Sequence, residues 1–246
     1  MVLDEGPAEQ PIAPRSIESG IRTRGVILRV AERLFAAKGF DGVSMREIGI
    51  EAGVPLALVS YHFKSKLGLY RAVFRAHEAI TKARIEQLEK FRPSEDSEKT
   101  VRDLVLILVQ PVIEMAAAPG GRDFARLIAR EVNDPVEAER GVLAEFIDPV
   151  AKLIIGHLER AFPELEKTTV HWTFLFASGA LAINHAATGR IERLSGGRCH
   201  SDDPAEIIDH LVDFIAGGIL AAFSQDTGRK RRSKNSRNRA SSPAGA

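Results

Sequence analysis

The chain has 246 residues, 44% of them hydrophobic, and a formal net charge of +1, which supplies enough apolar material for one larger or two small buried cores. Its apolar stretches are interrupted by charges or helix punctuation before the roughly 20 residues a bilayer demands, and the acidic, proline-bearing start MVLDEGPAEQPIAPRSIESG lacks the basic leader and apolar run of a secretory signal. The lone Cys199 excludes an internal disulfide and fits a reducing compartment, so a cytoplasmic protein without a membrane partner is expected.

The near-neutral total hides an uneven distribution. Arg15, Arg22, Arg24, Arg29, Arg33 and Lys38 crowd the start and RKRRSKNSRNR the end, while residues 93–166 are richer in acid. Residues 1–20 and 226–246 are too polar to offset their ordering entropy and are expected to form a disordered arm and a disordered basic tail. Between them apolar residues recur at three- and four-residue spacing, which predicts an all-α fold.

The first helix, about Thr23 to Lys38, sets Ile27, Val30, Ala31, Leu34 and Phe35 on one face and ends at Gly39. Ser44 and Glu47 form an S-x-x-E capping box for a helix starting near Met45. Gly53 ends that helix, Pro55 suits the opening of the next, and about Leu56 to Phe63 make a short third helix. After a turn at Lys64 and Ser65, a single long helix is predicted from Leu67 to Arg92, closed by Pro93. Helices follow at about 97–117, 121–132, 136–161, 165–192 and 204–224, with Pro149 kinking or splitting the third of these.

The segment SMREIGIEAGVPLALVSYHF, residues 44–63, meets the demands of a helix-turn-helix. Gly49 and Ala52 are small where two helices nearly touch, Gly53 takes the turn, and Ile48, Val54, Val59 and Phe63 can lock the crossing against Leu34 and Phe35. The outward remainder, Leu56, Ala57, Ser60 and Tyr61 with His62 at its edge, is a surface for a major groove.

From about Thr23 to Ala79 the order AERLFAAKGF, EAGV, YHF and KSKLGLYRAV resembles the DNA-binding domain of the TetR family of bacterial regulators. RLIAREVNDP and FIDPVAKLI are similar to a subgroup of that family with its own C-terminal domain. The resemblance implies a three-helix reading domain at residues 21–80, joined by a long helix to a helical ligand-binding and dimerisation domain at 81–225. It implies phosphate contacts from Ser44, Arg46, Tyr61 and the cap lysines Lys64 and Lys66, and groove contacts from Pro55, Leu56, Ala57, Leu58, Ser60 and His62. The chain departs from many members in carrying Leu56, Ala57 and Leu58 where polar residues are common. Base choice then rests on thymine methyls, Ser60, Tyr61 and DNA shape. Gly49 replaces the usual alanine, at a helix cost of about 1 kcal/mol.

One such domain reads few base pairs, so a homodimer on a pseudo-palindromic operator is expected. The resemblance places its interface on the last two helices, whose sequences carry Gly179, Ala180, Gly217 and Gly218 among large apolar residues. It also implies an unidentified small-molecule ligand, for which Phe124, Ile128, Phe146, Trp172 and Phe176 are the candidate pocket residues, and a repressor released when that ligand binds. No catalytic motif, cofactor motif or paired metal-ligand spacing is present, so no catalytic residue, cofactor or metal is assigned. Two other readings stay open: a sequence-indifferent architectural DNA binder using the basic tail, and a metal-responsive regulator using His157, His171 and His185.

Overall fold

The computed structural model describes residues 14–185 and 189–240, and among them thirteen α-helices and no strand. The chain divides into two compact units, residues 1–73 and 74–246.

Unit 1 contains α1 (Pro14–Lys38), α2 (Met45–Glu51), α3 (Leu56–Phe63) and most of α4 (Lys66–Ala76). Its core is the stripe that periodicity picks out on α1, namely Ile27, Ala31, Leu34 and Phe35, closed by Val43, Ile48, Val59, Phe63, Leu69, Tyr70 and Val73, all buried. Phe35 and Phe40 both meet the Tyr70 ring edge-on, with centroids 4.9 and 5.0 Å away. Such pairs add about 0.5–1.5 kcal/mol beyond the area they bury.

Unit 2 is built from α5 (Glu78–Lys90), α6 (Ser97–Ala117), α7 (Gly121–Val132), α8 (Glu137–Arg140), α9 (Val142–Phe146), α10 (Asp148–Ala161), α11 (Lys167–His185), α12 (Arg190–Ser195) and α13 (Pro204–Ala240). Helix α6 lies at its centre, touching α5, α7, α10, α11 and, most extensively, α13. Asp96 starts α6 by accepting the Glu98 and Lys99 amides at 2.8 and 3.4 Å. Pro111 lies inside α6 and leaves the Ile107 carbonyl without its helical donor. Arg84 of α5 fills that role, donating from Nε to Ile107 O at 3.2 Å and from its terminal guanidinium nitrogen to Leu108 O at 3.0 Å.

The structure corrects several element boundaries. The single helix expected after Lys66 breaks at His77 (φ −104°, ψ 8°), where the amide bonds to Phe74 O, three residues back. The His77 ring lies flat on Phe124 at 3.7 Å, a tertiary contact that periodicity does not encode. The segment 136–161 becomes three helices. Gly141 takes a left-handed φ of 66° after α8, and Pro149 falls harmlessly in the first turn of α10. The stretch 165–192 ends its first helix at His185, and α12 starts anew after Gly189.

At the two ends, α1 begins at Pro14 and α13 runs to Ala240, so helical backbone enters both segments expected to be disordered; the remainder of those segments, residues 1–13 and 241–246, lies outside the described residues. Extending a formed helix avoids the cost of nucleation, which composition alone does not reveal. One further correction concerns hydropathy. The stretch Pro204–Asp226 is long and apolar enough to cross a membrane by length and composition, a third of its most apolar 18 residues being buried in the protein. Asp213, inside that stretch, is bound to Arg102 of α6 at 2.6 Å.

Candidate nucleic-acid interface

Helix α2 starts as the sequence requires. The Ser44 hydroxyl accepts the Glu47 amide at 3.1 Å, and the Glu47 carboxyl is held below its usual range by a hydrogen bond from Lys38, with the Ser44 amide assisting. The turn to α3 needs glycine twice for different reasons. Gly53 has φ +67°, and a Cβ on Gly49 would lie 3.0 Å from the Val54 carbonyl oxygen. Gly49 O in turn accepts the Val54 amide at 2.9 Å, so the small residue is where the two helices close on one another.

Inward, α3 buries Val59 and Phe63. The opposite stripe faces solvent: Leu56 is 46% and Tyr61 69% exposed, Pro55, Ala57 and Lys64 are exposed, and Ser60 is half-buried between them. Leu58 and His62 are half-buried like Ser60, and His62 packs beside the rings of Tyr61 and Phe63 with Nε2 buried.

Several cations lie in the same unit. Ser44 and Arg46 are exposed at the start of α2. Lys64, with φ 64°, holds its ammonium 5.4 Å from the Tyr61 ring centroid, and Lys66 lies 4.3 Å over Phe40. Arg24 of α1 stands 5.2 Å over Phe63. In sequence Arg24 is only one of the basic residues at the start; its spacing from the turn carries no signal, because α1 and α3 meet only in the fold.

The five candidate pocket residues do not come together. Phe124 and Phe146 are buried around Phe74, with ring centroids at 5.4 and 6.0 Å, and Ile128 is half-buried on α7. Trp172 and Phe176, 58% and 67% exposed, stack on each other on the outside of α11. Val170, Thr173, Ala177, Leu181 and His185 form the buried face of α11, so residues 172 and 176 are turned away by helical geometry. They border a surface groove of about 400 Å³ shared with Phe214, Gly218 and Ala222 of α13.

The three histidines considered for metal also stand apart in their contacts. His157 Nε2 meets Leu88 O at 2.8 Å, and His171 Nδ1 meets Lys167 O at 2.8 Å. His185 is buried, and burial, aided by the charge of Arg84, pushes its pKa down to about 4 from 6.5. Below pH 6.5 the unfolded chain therefore takes up a proton that the folded chain refuses until about pH 4, so stability is lost as pH falls through that window. The loss reaches about 3 kcal/mol. Urea denaturation at pH 7 and 4.5 is expected to show it, and a His185→Gln variant to have a flatter pH dependence; equal slopes would contradict the assignment.

Comparison with known proteins places this geometry. Residues 27–73 match the family described as bacterial regulatory proteins, tetR family, and residues 106–218 match the tetracyclin repressor-like C-terminal domain. A probable HTH-type transcriptional regulator, YttP of Bacillus subtilis, is 30% identical over 128 residues, which span 52% of this chain and 58% of that protein. Among solved structures, a TetR-family transcriptional regulator from Bordetella parapertussis aligns with a TM-score of 0.57 at 16% identity, over 78% of this chain and 93% of the other. FadR of Bacillus subtilis, solved with stearoyl-CoA, aligns with a TM-score of 0.55 at 12% identity, over 79% and 98%. At these identities the structural likeness bears on the fold.

Proposed function

The chain belongs to the TetR family of bacterial regulators, and from that premise we propose that it is a sequence-specific transcriptional regulator, a cytoplasmic homodimer that represses from a pseudo-palindromic operator. Its role is binding rather than catalysis. The observation that carries this reading is the solvent-facing stripe of α3, Leu56, Ala57, Ser60 and Tyr61, presented beside a glycine turn, with Lys64 over Tyr61, Arg24 over Phe63 and Arg46 exposed on α2.

In this reading residues 21–80 read DNA and residues 81–225 dimerise and sense. Ser44, Arg46, Lys64 and Lys66 hold phosphates, while Leu56, Ala57, Ser60 and Tyr61 enter the groove. A small molecule taken up by the second domain, with Phe124, Ile128 and Phe146 as its candidate apolar contacts, shifts the dimer towards a form with lower operator affinity. The exposed α11 and α13 face with Trp172, Phe176 and Phe214 belongs to the dimer interface in place of the ligand pocket.

A DNase footprint on the DNA flanking the gene, at physiological salt with competitor DNA, tests the reading. A short protected pseudo-palindrome is expected, and Tyr61→Ala is expected to weaken it about 10- to 100-fold. Diffuse protection abolished by competitor would favour the sequence-indifferent alternative instead.

A further inference from the structure

Recognition helices of this kind meet base edges mainly through their first residues. In α3 that end is entirely hydrocarbon. Pro55 is exposed and has no N–H, Leu56 is nearly half exposed, and Ala57 is exposed. The whole helix, LALVSYHF, carries no guanidinium, carboxylate or amide side chain. Its hydrogen-bonding groups are Ser60 and Tyr61, one turn further on, and His62, whose Nε2 is buried.

Two cations stand at the far end of α3. Lys64 lies over the Tyr61 ring at the far end of α3, and Arg24 over Phe63 at the same end. Glu51, at the end of α2, is bound to Arg33 at 2.8 Å. The first turn of α3 thus offers a groove two apolar side chains and no side chain that donates or accepts a hydrogen bond, its only donors being the main-chain amides at the helix start. Guanine and adenine present polar groups at the major-groove edge and cytosine an amino group beside a bare C5–H, and a polar edge pressed against Leu56 would lose water without replacement. Thymine alone of the four standard bases presents a methyl group there.

We infer that Leu56 and Ala57 are specificity-determining residues that select thymine by its C5-methyl group, so that each operator half-site contains thymines opposite the first turn of α3. The inference rests on the DNA-reading role proposed above. Ser60 and Tyr61 then set the adjoining base or phosphate, and the lysines and arginines add affinity without choosing among bases.

The experiment uses the full chain and a duplex recovered by in vitro selection from a random library. Half-sites with conserved thymines are expected. Replacing those thymines one at a time by uracil, which removes only the methyl, is expected to weaken binding about fourfold at each contacted position. Replacing T·A by 5-methylcytosine·G is expected to bind better than unmethylated C·G at the same place. Leu56→Ala, at an exposed position, is expected to keep the helical circular dichroism spectrum while losing most of the thymine-over-uracil preference. Failure to enrich any sequence would overturn the DNA-reading role and this inference with it. An enriched site without thymines at these positions, or one indifferent to uracil, would overturn the methyl-reading inference alone and leave sequence-specific binding standing.

Discussion

A Phe176→Glu/Phe214→Glu double variant is expected to sediment as a monomer and to bind an operator at least about 100-fold more weakly than the unaltered protein. The two rings are 67% and 72% exposed in the single chain, on neighbouring faces of α11 and α13, with Trp172, Leu175 and Ile183 exposed beside them. A contiguous apolar surface of this kind marks an interaction site. Added Cβ atoms at Gly179, Gly217 and Gly218 would meet open space, so no packing within the chain requires the small residues. A second copy of the same face supplies the contact in our reading. Each phenylalanine buried there contributes about 1.5–3 kcal/mol, twice over by symmetry, and a glutamate in its place brings two like charges together. Sedimentation velocity reads the first effect and titration of the footprint the second. A double variant that remains dimeric would move the interface elsewhere.

Replacing Arg140 by methionine is expected to destabilise unit 2 by about 3–5 kcal/mol. Arg140 and Glu131 are both buried, and Arg140 Nε meets the two Glu131 carboxylate oxygens at 2.9 and 3.1 Å. Its terminal guanidinium nitrogen reaches Asp134 at 2.7 Å. The Asp134 carboxyl is correspondingly held below its usual range, chiefly by the Val136 amide and further by Arg140. Without the guanidinium, Glu131 is left as a buried carboxylate, which must either open the α7 to α8 corner to water or take up a proton. Thermal unfolding should show a fall of about 6–20 °C in Tm for a chain of this size. Changing both partners, Glu131→Leu with Arg140→Met, is expected to recover most of the loss, because the desolvation cost leaves with the charges. A single variant as stable as the parent would mean that the pair is solvated in solution.

The reading unit was legible because its determinants are local. Ser44 with Glu47, Gly53 and the 3.6-residue stripe on α1 each act within a few residues, and α2 and α3 begin and end in the structure where those signals put them. Even there, contacts across the fold stayed hidden. Arg24 lies 39 residues from Phe63, whose ring it covers, and His62 turns inward although the sequence placed it at the edge of the reading surface. In unit 2 the helical character was legible, while the breaks were not. The His77 break goes with a ring stacked on Phe124, and the α7 to α8 corner with an ion pair between residues nine apart.

Periodicity, caps and the order of four motifs determined by themselves that this chain is helical, that a glycine turn sets α3 as the exposed helix, and which family it resembles. Tertiary structure alone decided which aromatic residues face inward. Phe124 and Phe146 are buried while Trp172 and Phe176 lie on the surface, although all four are equally apolar in sequence. The physical reason is that α11 is apolar on nearly all its faces, so hydrophobicity does not choose its buried side; contact with α7, α10 and α13 does.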